Sequence, residues 1–351
     1  MLRQLVRNVS LVAIGLVSVT VPEVEAQKPA EARRALIARS QVWIHTDIPS
    51  MDMRTGPSGP GSFEPGATVN CEYTDKKLSG RTPKFVCRLP DGDELKVKYG
   101  GANGEVYGEV AASRLLWALG FGADGMYSVR VVCRGCPPKI GEVTRDNGDR
   151  LLDPAAVERK LAGDELTDQW SWDELDQVDE AAGGAPKAHR DALKLLAVML
   201  QHSDSKPQQQ RLICLEGEDT RCATPLMLIN DVGITFGRAN MFNLHRPGSV
   251  NLTAWTKLPI WKDRTGCVGN LSGSFTGTLK NPVISEAGRQ FLADLLVQLS
   301  DQQLRDMFEA ARVTLRPRDP DDGRSGFATV DEWVAAFKQK RTEIVERRCS
   351  S

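Results

Sequence analysis

The chain has 351 residues, of which 41% are hydrophobic, and its 45 lysines and arginines nearly balance its 46 aspartates and glutamates. This length and apolar content support a sizeable buried core, in one two-lobed domain or in two smaller ones. The formal net charge of −1 gives no electrostatic argument for binding nucleic acid, so we expect no nucleic-acid partner.

The N-terminus has the pattern of a secretory signal peptide. Arg3 and Arg7 precede an apolar run from Leu11 to Val21, and Ala26 offers a small residue at the expected cleavage point. The run is too short to predict a membrane span. We therefore expect residues 1–26 to be removed and the mature chain to be secreted or periplasmic, without a membrane span. A retained N-terminal anchor is the alternative.

Residues 27–66 are predicted to form a leader and a connector. Residues 27–40 suit a short helix or a flexible leader. Residues 53–66 are rich in glycine, proline and serine, which also suits a loop that cradles phosphate. Their prolines remove backbone donors that such a loop needs, so we favour a connector.

Residues 67–140 are predicted to form a β-rich lobe that contains one helix. Apolar and polar residues alternate in three short segments separated by turn residues, which predicts a meander. Lys98 lies in the third segment, and a lysine in a strand is usually a solvated residue at an edge. The three segments are 67–73, 84–89 and 94–99.

The helix of this lobe is predicted directly after the meander. Apolar residues recur at helical spacing from Val106 to Trp117, and Glu105 and Glu109 lie four residues apart on one face. An acidic face on a packed helix is ordinarily solvated. A further apolar strand, Met126–Cys133, follows the helix.

Residues 141–186 are richer in charge and are predicted to be a connection or an insertion. We expect a short helix over residues 153–165. Trp170 and Trp172 are expected to anchor the core rather than to bind a ligand, because aromatic side chains bury large apolar areas.

The last part, residues 187–351, opens with a stretch that sets two aspartates at the ends of buried elements. An amphipathic helix over residues 187–201 runs into a polar loop with Asp204, and the second of two apolar strands ends at Asp231. Two carboxylates in one cleft suit phosphoryl transfer, where one orients an attacking hydroxyl and the other holds a metal. The alternative is that both are ordinary turn and strand-end residues of an unrelated α+β domain.

This stretch resembles the protein-kinase-like superfamily, in particular its HipA-type, phosphoinositide-kinase and secretory-pathway branches. His202-Ser203-Asp204 is similar to their catalytic loop, and Asn230-Asp231-Val232-Gly233 is similar to their metal-binding Asp-x-Gly. The resemblance covers about half of the chain and implies a two-lobed α+β fold, with a β-rich N-lobe and a mainly helical C-lobe. Gln209 departs from the usual Asn, although its amide oxygen can also ligate Mg²⁺.

The resemblance also implies an activity and a role for each residue. The protein would move the γ-phosphate of ATP to a hydroxyl acceptor, with Mg²⁺ or Mn²⁺ as the metal. Asp204 would orient the acceptor, Asp231 and Gln209 would hold the metal, Lys98 would contact phosphates, and Glu109, which fits the register better than Glu105, would align Lys98. Ser79 and Gly80 lie in the loop that would cover the nucleotide, although this loop lacks the GxGxxG pattern.

The competing interpretation is a pseudokinase or a secreted binding module of the same fold. Gln209, the absence of a glycine-rich loop and export to a compartment where ATP is scarce favour it. We expect His202 to be a structural strut that hydrogen-bonds backbone rather than a general base. Lys206 suits either a phosphate contact or a solvated position.

The eight cysteines all follow the predicted signal peptide, and an even number in an exported chain implies disulfides. Cys71 with Cys87, and Cys214 with Cys222, each flank a turn between two predicted strands. Cys133 and Cys136 can bridge locally, which leaves Cys267 for Cys349. The Cys133–Cys136 spacing also suits a zinc or redox site, but no second such motif accompanies it.

Helical periodicity dominates the C-terminal third. Ser300 and Thr329 are predicted caps, the latter with Glu332 at the spacing of a capping box. Asp321–Glu332 resembles a calcium-binding EF-hand loop, but Gly323 and Ala328 depart from it, so calcium is the lesser expectation. The predicted helices are 285–299, 300–313 and 329–348.

Overall fold

The computed structural model describes residues 23–80, 82–137, 148–167, 169–215, 222–237, 249–263, 265–272, 277–319 and 325–349, with side chains from residue 30 onward. The fold mixes helices and strands, as predicted. The helices are α1 (Glu23–Ala38), α2 (Glu105–Ala118), α3 (Lys187–Leu200), α4 (Leu252–Lys257), α5 (Glu286–Leu296), α6 (Asp301–Ala310) and α7 (Val330–Val345). The strands are β1 (Thr68–Thr74), β2 (Lys84–Arg88), β3 (Glu94–Tyr99), β4 (Gly125–Cys136), β5 (Gly148–Arg159), β6 (Asp164–Thr167), β7 (Gln210–Cys214) and β8 (Pro225–Ile229).

Strands β1 to β5 form a closed barrel. The meander of β1, β2 and β3 is antiparallel and confirms the predicted alternation. β4 pairs in parallel with β1 and antiparallel with β5, and β5 pairs with β3, which completes the ring. Alternate side chains of a strand face opposite sides, so one apolar set fills the interior. This set includes Val69, Phe85, Leu95, Val97, Val129, Val131 and Val157.

Strand β5 corrects the prediction of a short helix over residues 153–165. Ala155, Ala156 and Val157 are buried in the sheet and pair with both β3 and β4. Alanine favours a helix, but strand pairing on both sides outweighs that local preference. The barrel therefore uses residues beyond 140, in the part that we predicted to be a connection or an insertion.

Helix α2 lies between the barrel and the helices that follow. It contacts β3, β4 and β5 on one side and α6 on the other. Arg114, which is buried, donates a hydrogen bond from Nη1 to the carbonyl oxygen of Met126 in β4 at 2.8 Å. Almost every side chain of α2 is buried, as expected for a helix that is covered all round.

The second sheet, β6-β7-β8, is antiparallel and joins the helical part. Trp170 donates its indole N–H to the carbonyl oxygens of Arg211 and Leu228 at 3.0 and 3.1 Å. Trp170 and Trp172 are fully buried, which confirms that both anchor the core. The buried face of α3 packs against α5.

The C-terminal helices α5, α6 and α7 confirm the predicted periodicity and caps. The Ser300 side chain accepts a hydrogen bond from Gln303 N, and Thr329 and Glu332 form a capping box at the start of α7. Each cap satisfies backbone N–H groups that a helix N-terminus leaves without partners.

All eight cysteines lie within the described residues, and they pair as predicted. The disulfides are Cys71–Cys87, Cys133–Cys136, Cys214–Cys222 and Cys267–Cys349. The Cys133–Cys136 bond uses both sulfurs of the CxxC motif, so neither is a thiolate that could bind zinc.

The predicted signal peptide lies largely outside the described residues, which start with α1 at Glu23. Leader residues 27–38 belong to that helix. Across the part of the chain that the structure describes, none of the helices combines the length and the apolar character needed to cross a bilayer.

Candidate functional site

Lys98 is completely buried beside α2. In β3, the side chains of Leu95 and Val97 point into the barrel, and Lys98 lies on the opposite, outer face. Its side chain is 0% exposed. The interpretation of Lys98 as a solvated lysine at a strand edge is therefore wrong, and the residue needs charged partners.

Two glutamates of α2 are partners of Lys98. Glu105 Oε2 lies 2.7 Å from Lys98 Nζ, and Glu109 Oε1 also contacts this nitrogen. Both glutamates are buried, so the expectation of a solvated acidic face is wrong. We had favoured Glu109 over Glu105, whereas the structure brings both to the lysine; their spacing of four residues was the signal that both could reach it.

Asp231 approaches Lys98 from the other side. Its Oδ1 lies 3.1 Å from Lys98 Nζ, and its side chain is 16% exposed. The aspartate follows β8, and farther on Phe236 N donates to the carbonyl oxygen of Leu200 in α3 at 2.7 Å. The segment that starts at Asp231 is therefore anchored against α3 while its carboxylate faces the barrel.

Two glycines allow α2 to lie directly on the segment after Asp231. A Cβ atom at Gly233 would lie 2.7 Å from Glu105 Cγ and 2.9 Å from Glu109 Cγ. A Cβ atom at Gly108 would lie 2.7 Å from the carbonyl oxygen of Gly233. Any larger residue would separate the glutamates from Asp231, so these glycines set the geometry of the cluster.

The charges of this cluster shift the pKa values of its members. Burial opposes the charge on Lys98, but Asp231, Glu109 and Glu105 outweigh it and raise the lysine pKa well above its ordinary range. Burial, opposed by Lys98 and assisted by the charge of Asp231, raises the pKa of Glu109 well above its ordinary range. Burial would raise the pKa of Asp231, but Lys98 and the adjacent Glu109 side chain hold it well below its ordinary range.

Of the two neighbouring carboxyl groups, Glu109 therefore holds its proton more tightly, and Asp231 ionises more readily. Glu109 Oε2 is buried and accepts no hydrogen bond from the described residues.

Asp204 lies in the loop between α3 and β7, with two neighbours of that loop bound to it. Lys206 Nζ and Gln209 Nε2 each lie 3.0 Å from Asp204 Oδ2. The carbonyl oxygen of Gln209 accepts a hydrogen bond from Asn230 N at 2.8 Å. The loop of Asp204 is thus joined to the residue before Asp231, and the two predicted aspartates lie on adjoining segments.

His202 is fully buried next to this loop, but it is not the strut that we expected. Neither ring nitrogen has a hydrogen-bond partner among the described residues. Its ring lies 6.3 Å from that of Trp172, and burial lowers its pKa to about 4. The residue is therefore a neutral, packed histidine whose backbone N–H, rather than its ring, bonds to Ala197.

The oxygens best placed to hold a cation come from Glu105, Glu109 and Asp231. One carboxylate oxygen from each lies within 4.8 Å of the others. Gln209, the second predicted ligand, bonds through its amide nitrogen to Asp204, which leaves its amide oxygen for another partner.

The predicted covering loop borders a cavity near the cluster. Ser79 and Gly80 are exposed, and Gly80 lies against Lys84, whose ammonium would be 2.9 Å from a Cβ atom at that position. The cavity has a volume of about 340 Å³ and is lined by residues that include Asp75, Lys77, Gly80, Thr82 and Lys84.

The predicted calcium loop is described only in part, because residues 320–324 lie outside the described residues. Ser325 and Gly326 are described, and Glu332 bonds both to Arg318 Nη2 and to Thr329 N at the start of α7. The expectation of calcium stays a prediction.

Comparison with known proteins does not identify a family for this chain. Neither a family model nor a curated protein matches the chain. Among solved structures, a Helicobacter pylori proinflammatory kinase, CtkA, is 10% identical, with 80% of this chain and 96% of that chain covered and a TM-score of 0.43. A likeness at this level establishes neither fold nor activity, so the function has to be inferred from the residues of this chain.

Proposed function

We propose that this protein is an exported phosphotransferase of the kinase-like fold, which moves the γ-phosphate of ATP to a hydroxyl acceptor. One observation carries the proposal: Lys98 contacts Glu109 and lies 3.1 Å from Asp231 in a buried cluster. A lysine paired with a helix glutamate beside a metal-binding aspartate is how kinases align phosphates. In this proposal the barrel with α2 is the small lobe, and the part from α3 to α7 is the large lobe.

The side chains divide the work of positioning. Lys98 binds the nucleotide phosphates, and Glu109 holds Lys98 in place. Asp204 accepts the hydrogen bond of the acceptor hydroxyl and orients it for attack. Ser79 and Gly80 belong to the loop that covers the nucleotide. Catalysis then comes from alignment and from charge stabilisation, which supply most of the acceleration in phosphoryl transfer.

The residues present fit a divalent cation. Mg²⁺ and Mn²⁺ prefer oxygen donors, and Asp231 is the carboxylate proposed to hold the cation. Glu109 Oε2 accepts no hydrogen bond from the described residues, and Gln209 retains its amide oxygen as a second ligand. When bound, the cation would neutralise charge on the transferring phosphate.

Export is supported by the cysteines. All eight form disulfides, and such bonds persist mainly in oxidising compartments such as the periplasm or the extracellular space. The apolar N-terminal pattern of residues 11–21 is the sequence feature that would direct the chain there.

A second candidate is a pseudokinase or a secreted binding module. The observation that favours it is the closed state of the cluster: the Lys98 side chain is 0% exposed and already contacts three carboxyl groups. In that case the cluster would serve as a structural core for the fold and would bind no phosphate.

A thermal-shift titration separates the two candidates. The disulfide-intact chain is titrated with ATP in the presence of Mg²⁺ or Mn²⁺, next to Asp231→Asn and the control Asp91→Asn, which changes an exposed turn carboxylate. A ligand that binds only the folded state raises the melting temperature. We expect a metal-dependent rise in the wild type and in Asp91→Asn, but not in Asp231→Asn.

If ATP with either metal did not raise the melting temperature of the wild type, the proposal of a phosphotransferase would be overturned. The pseudokinase or binding module would then be the function. An equal shift in Asp231→Asn would remove Asp231 from the nucleotide site.

A further inference from the structure

Glu105 joins Lys98 to the covering loop with a single carboxylate. Its Oε2 lies 2.7 Å from Lys98 Nζ. Its Oε1 accepts a hydrogen bond from the Thr82 hydroxyl at 2.8 Å. Thr82 belongs to the loop ahead of β2 that carries Ser79 and Gly80. Both oxygens of Glu105 are therefore engaged, one with the lysine and one with the loop.

A second lysine lies close enough to this carboxylate to interact with it electrostatically. Lys84 in β2 is the register partner of Lys98 in β3. No described acidic group forms an ion pair with Lys84. Burial, together with repulsion from Lys98, lowers the pKa of Lys84, while the charges of Asp231 and Glu105 oppose that shift. Glu105 thus supplies negative charge to two neighbouring lysines at once.

Besides the two lysines, the start of helix α2 also stabilises negative charge at the position of Glu105. It is the first residue of α2, and its backbone N–H is bonded to Asn103 Oδ1 at 3.1 Å. The N-terminus of a helix carries partial positive charge and stabilises a nearby carboxylate or phosphate. Lys98, Lys84 and this helix N-terminus together form a positively charged site, and the Glu105 carboxylate occupies it.

We propose that Glu105 is an internal stand-in for the nucleotide's phosphates: it occupies the Lys98 site in the resting protein, and a polyphosphate has to displace it. This inference rests on the proposed function and assigns Glu105 a role that Glu109 does not share. Glu109 is the more deeply buried of the two and is held between Lys98 and Asp231. It keeps Lys98 in place when Glu105 leaves, whereas the departure of Glu105 also frees the loop at Thr82.

The opposite role for Glu105 makes the opposite prediction. If Glu105 aligned Lys98 for phosphate binding, as Glu109 is proposed to do, its removal would weaken the binding of polyphosphate. A purely structural role would lower stability and would not raise affinity. An increase in affinity on removal of Glu105 therefore distinguishes the competitor role from the aligning role and from the purely structural role.

Binding assays with Glu105→Gln and Thr82→Val test the inference. The control is Glu64→Gln, which removes an exposed carboxylate of the segment just before β1. Two probes are titrated by thermal shift and by calorimetry: inorganic tripolyphosphate, which needs no nucleoside site, and ATP with Mg²⁺. Loss of a charge-assisted contact of about 1.4 kcal/mol corresponds to about tenfold in a dissociation constant.

We expect Glu105→Gln to bind tripolyphosphate about tenfold more tightly than the wild type, by that same conversion. Thr82→Val should shift affinity in the same direction by a smaller factor, because it releases the loop and leaves the charge in place. Glu64→Gln should bind as the wild type does.

Unchanged or weaker binding of tripolyphosphate by Glu105→Gln would overturn the inference, and circular dichroism checks that the variant is folded. Failure of the proposed function has a different signature. Tripolyphosphate would then bind Glu105→Gln more tightly than the wild type. ATP with Mg²⁺ would bind no more tightly than tripolyphosphate in any of the variants.

Discussion

The ammonium nitrogen of Lys98 lies 3.1 Å from Asp231 Oδ1, although 133 residues separate the two in sequence. Lys98 belongs to the barrel, and Asp231 follows the last strand of the second sheet. This ion pair therefore joins the two parts of the molecule at the point where phosphoryl transfer is proposed to occur. The same contact governs stability and function, which makes it the first target for mutation.

Replacement of Lys98 by methionine should destabilise the protein strongly. The change leaves the surrounding carboxyl groups without their shared cation, and removal of one partner from a buried ion pair costs about 3–5 kcal/mol. Lys84→Met is the matched control: that lysine lies one strand away, and none of its described neighbours forms an ion pair with it. We expect the control to change the free energy of unfolding by less than about 1 kcal/mol. Urea unfolding at neutral pH, with disulfides intact, measures both; equal losses would contradict the central role of Lys98.

Gly233→Ala should force α2 away from Asp231. The added Cβ atom would lie 2.7 Å from Glu105 Cγ, and overpacking of this kind costs about 1–3 kcal/mol. Gly148→Ala is the control, because a Cβ atom there meets nothing within 4 Å. Thermal unfolding of the two variants should show a loss for Gly233→Ala alone. If Gly233→Ala kept the wild-type melting temperature, α2 could move away from residue 233 at no cost. The close approach of the two would then not determine the geometry of the charged cluster.

His202 should make the protein sensitive to mild acid. Burial lowers its pKa from 6.5 to about 4, so the unfolded chain binds a proton more readily than the folded chain between these values. The contribution of neutral His202 to stability is complete above pH 6.5 and is lost as pH falls toward 4, by roughly 3 kcal/mol in total. The free energy of unfolding, measured across this range, should fall less steeply in His202→Gln. His45→Gln removes an exposed histidine and serves as the control; parallel pH profiles for the wild type and His202→Gln would refute the prediction.

Asp204→Asn should separate binding from transfer. Asp204 is proposed to orient the acceptor hydroxyl and to make no contact with the metal, so the variant should keep the metal-dependent thermal shift with ATP. Its rate of phosphate transfer, followed with labelled ATP, should fall by about 100-fold or more. Asp176→Asn, which changes an exposed carboxylate of the same part of the chain, should transfer at the wild-type rate. Loss of ATP binding in Asp204→Asn would instead place Asp204 among the metal ligands.

Local pattern was enough to predict most of the elements. Strand alternation located β1, β2 and β3, and helical periodicity located α2, α3 and the C-terminal helices, because each pattern is set by residues close in sequence. The four disulfides were also predictable, since three of them join cysteines in the same or adjacent predicted elements and the fourth pair is what remained.

What could not be predicted depended on contacts between distant residues. The local pattern of residues 153–165 predicts a short helix, and only the pairing of β5 with β3 and β4 makes its part of this segment a strand. The parallel pairing of β1 with β4 leaves no mark in either sequence. The register of the resemblance favours Glu109 over Glu105 as the partner of Lys98, and it gives no sign of a second role for Glu105. Its role became apparent only from the contact with Thr82 in a separate loop.

Closure of the barrel has a mechanical consequence. Each of the described strands β1 to β5 is bonded on both sides, so the ring resists bending more than an open sheet of the same strands would. The backbone of Lys98 is fixed to that ring, so it cannot draw back from Asp231 by local distortion of β3. A change in the distance between the β3 backbone and Asp231 would therefore involve movement of the ring as a whole or of the segment that follows β8.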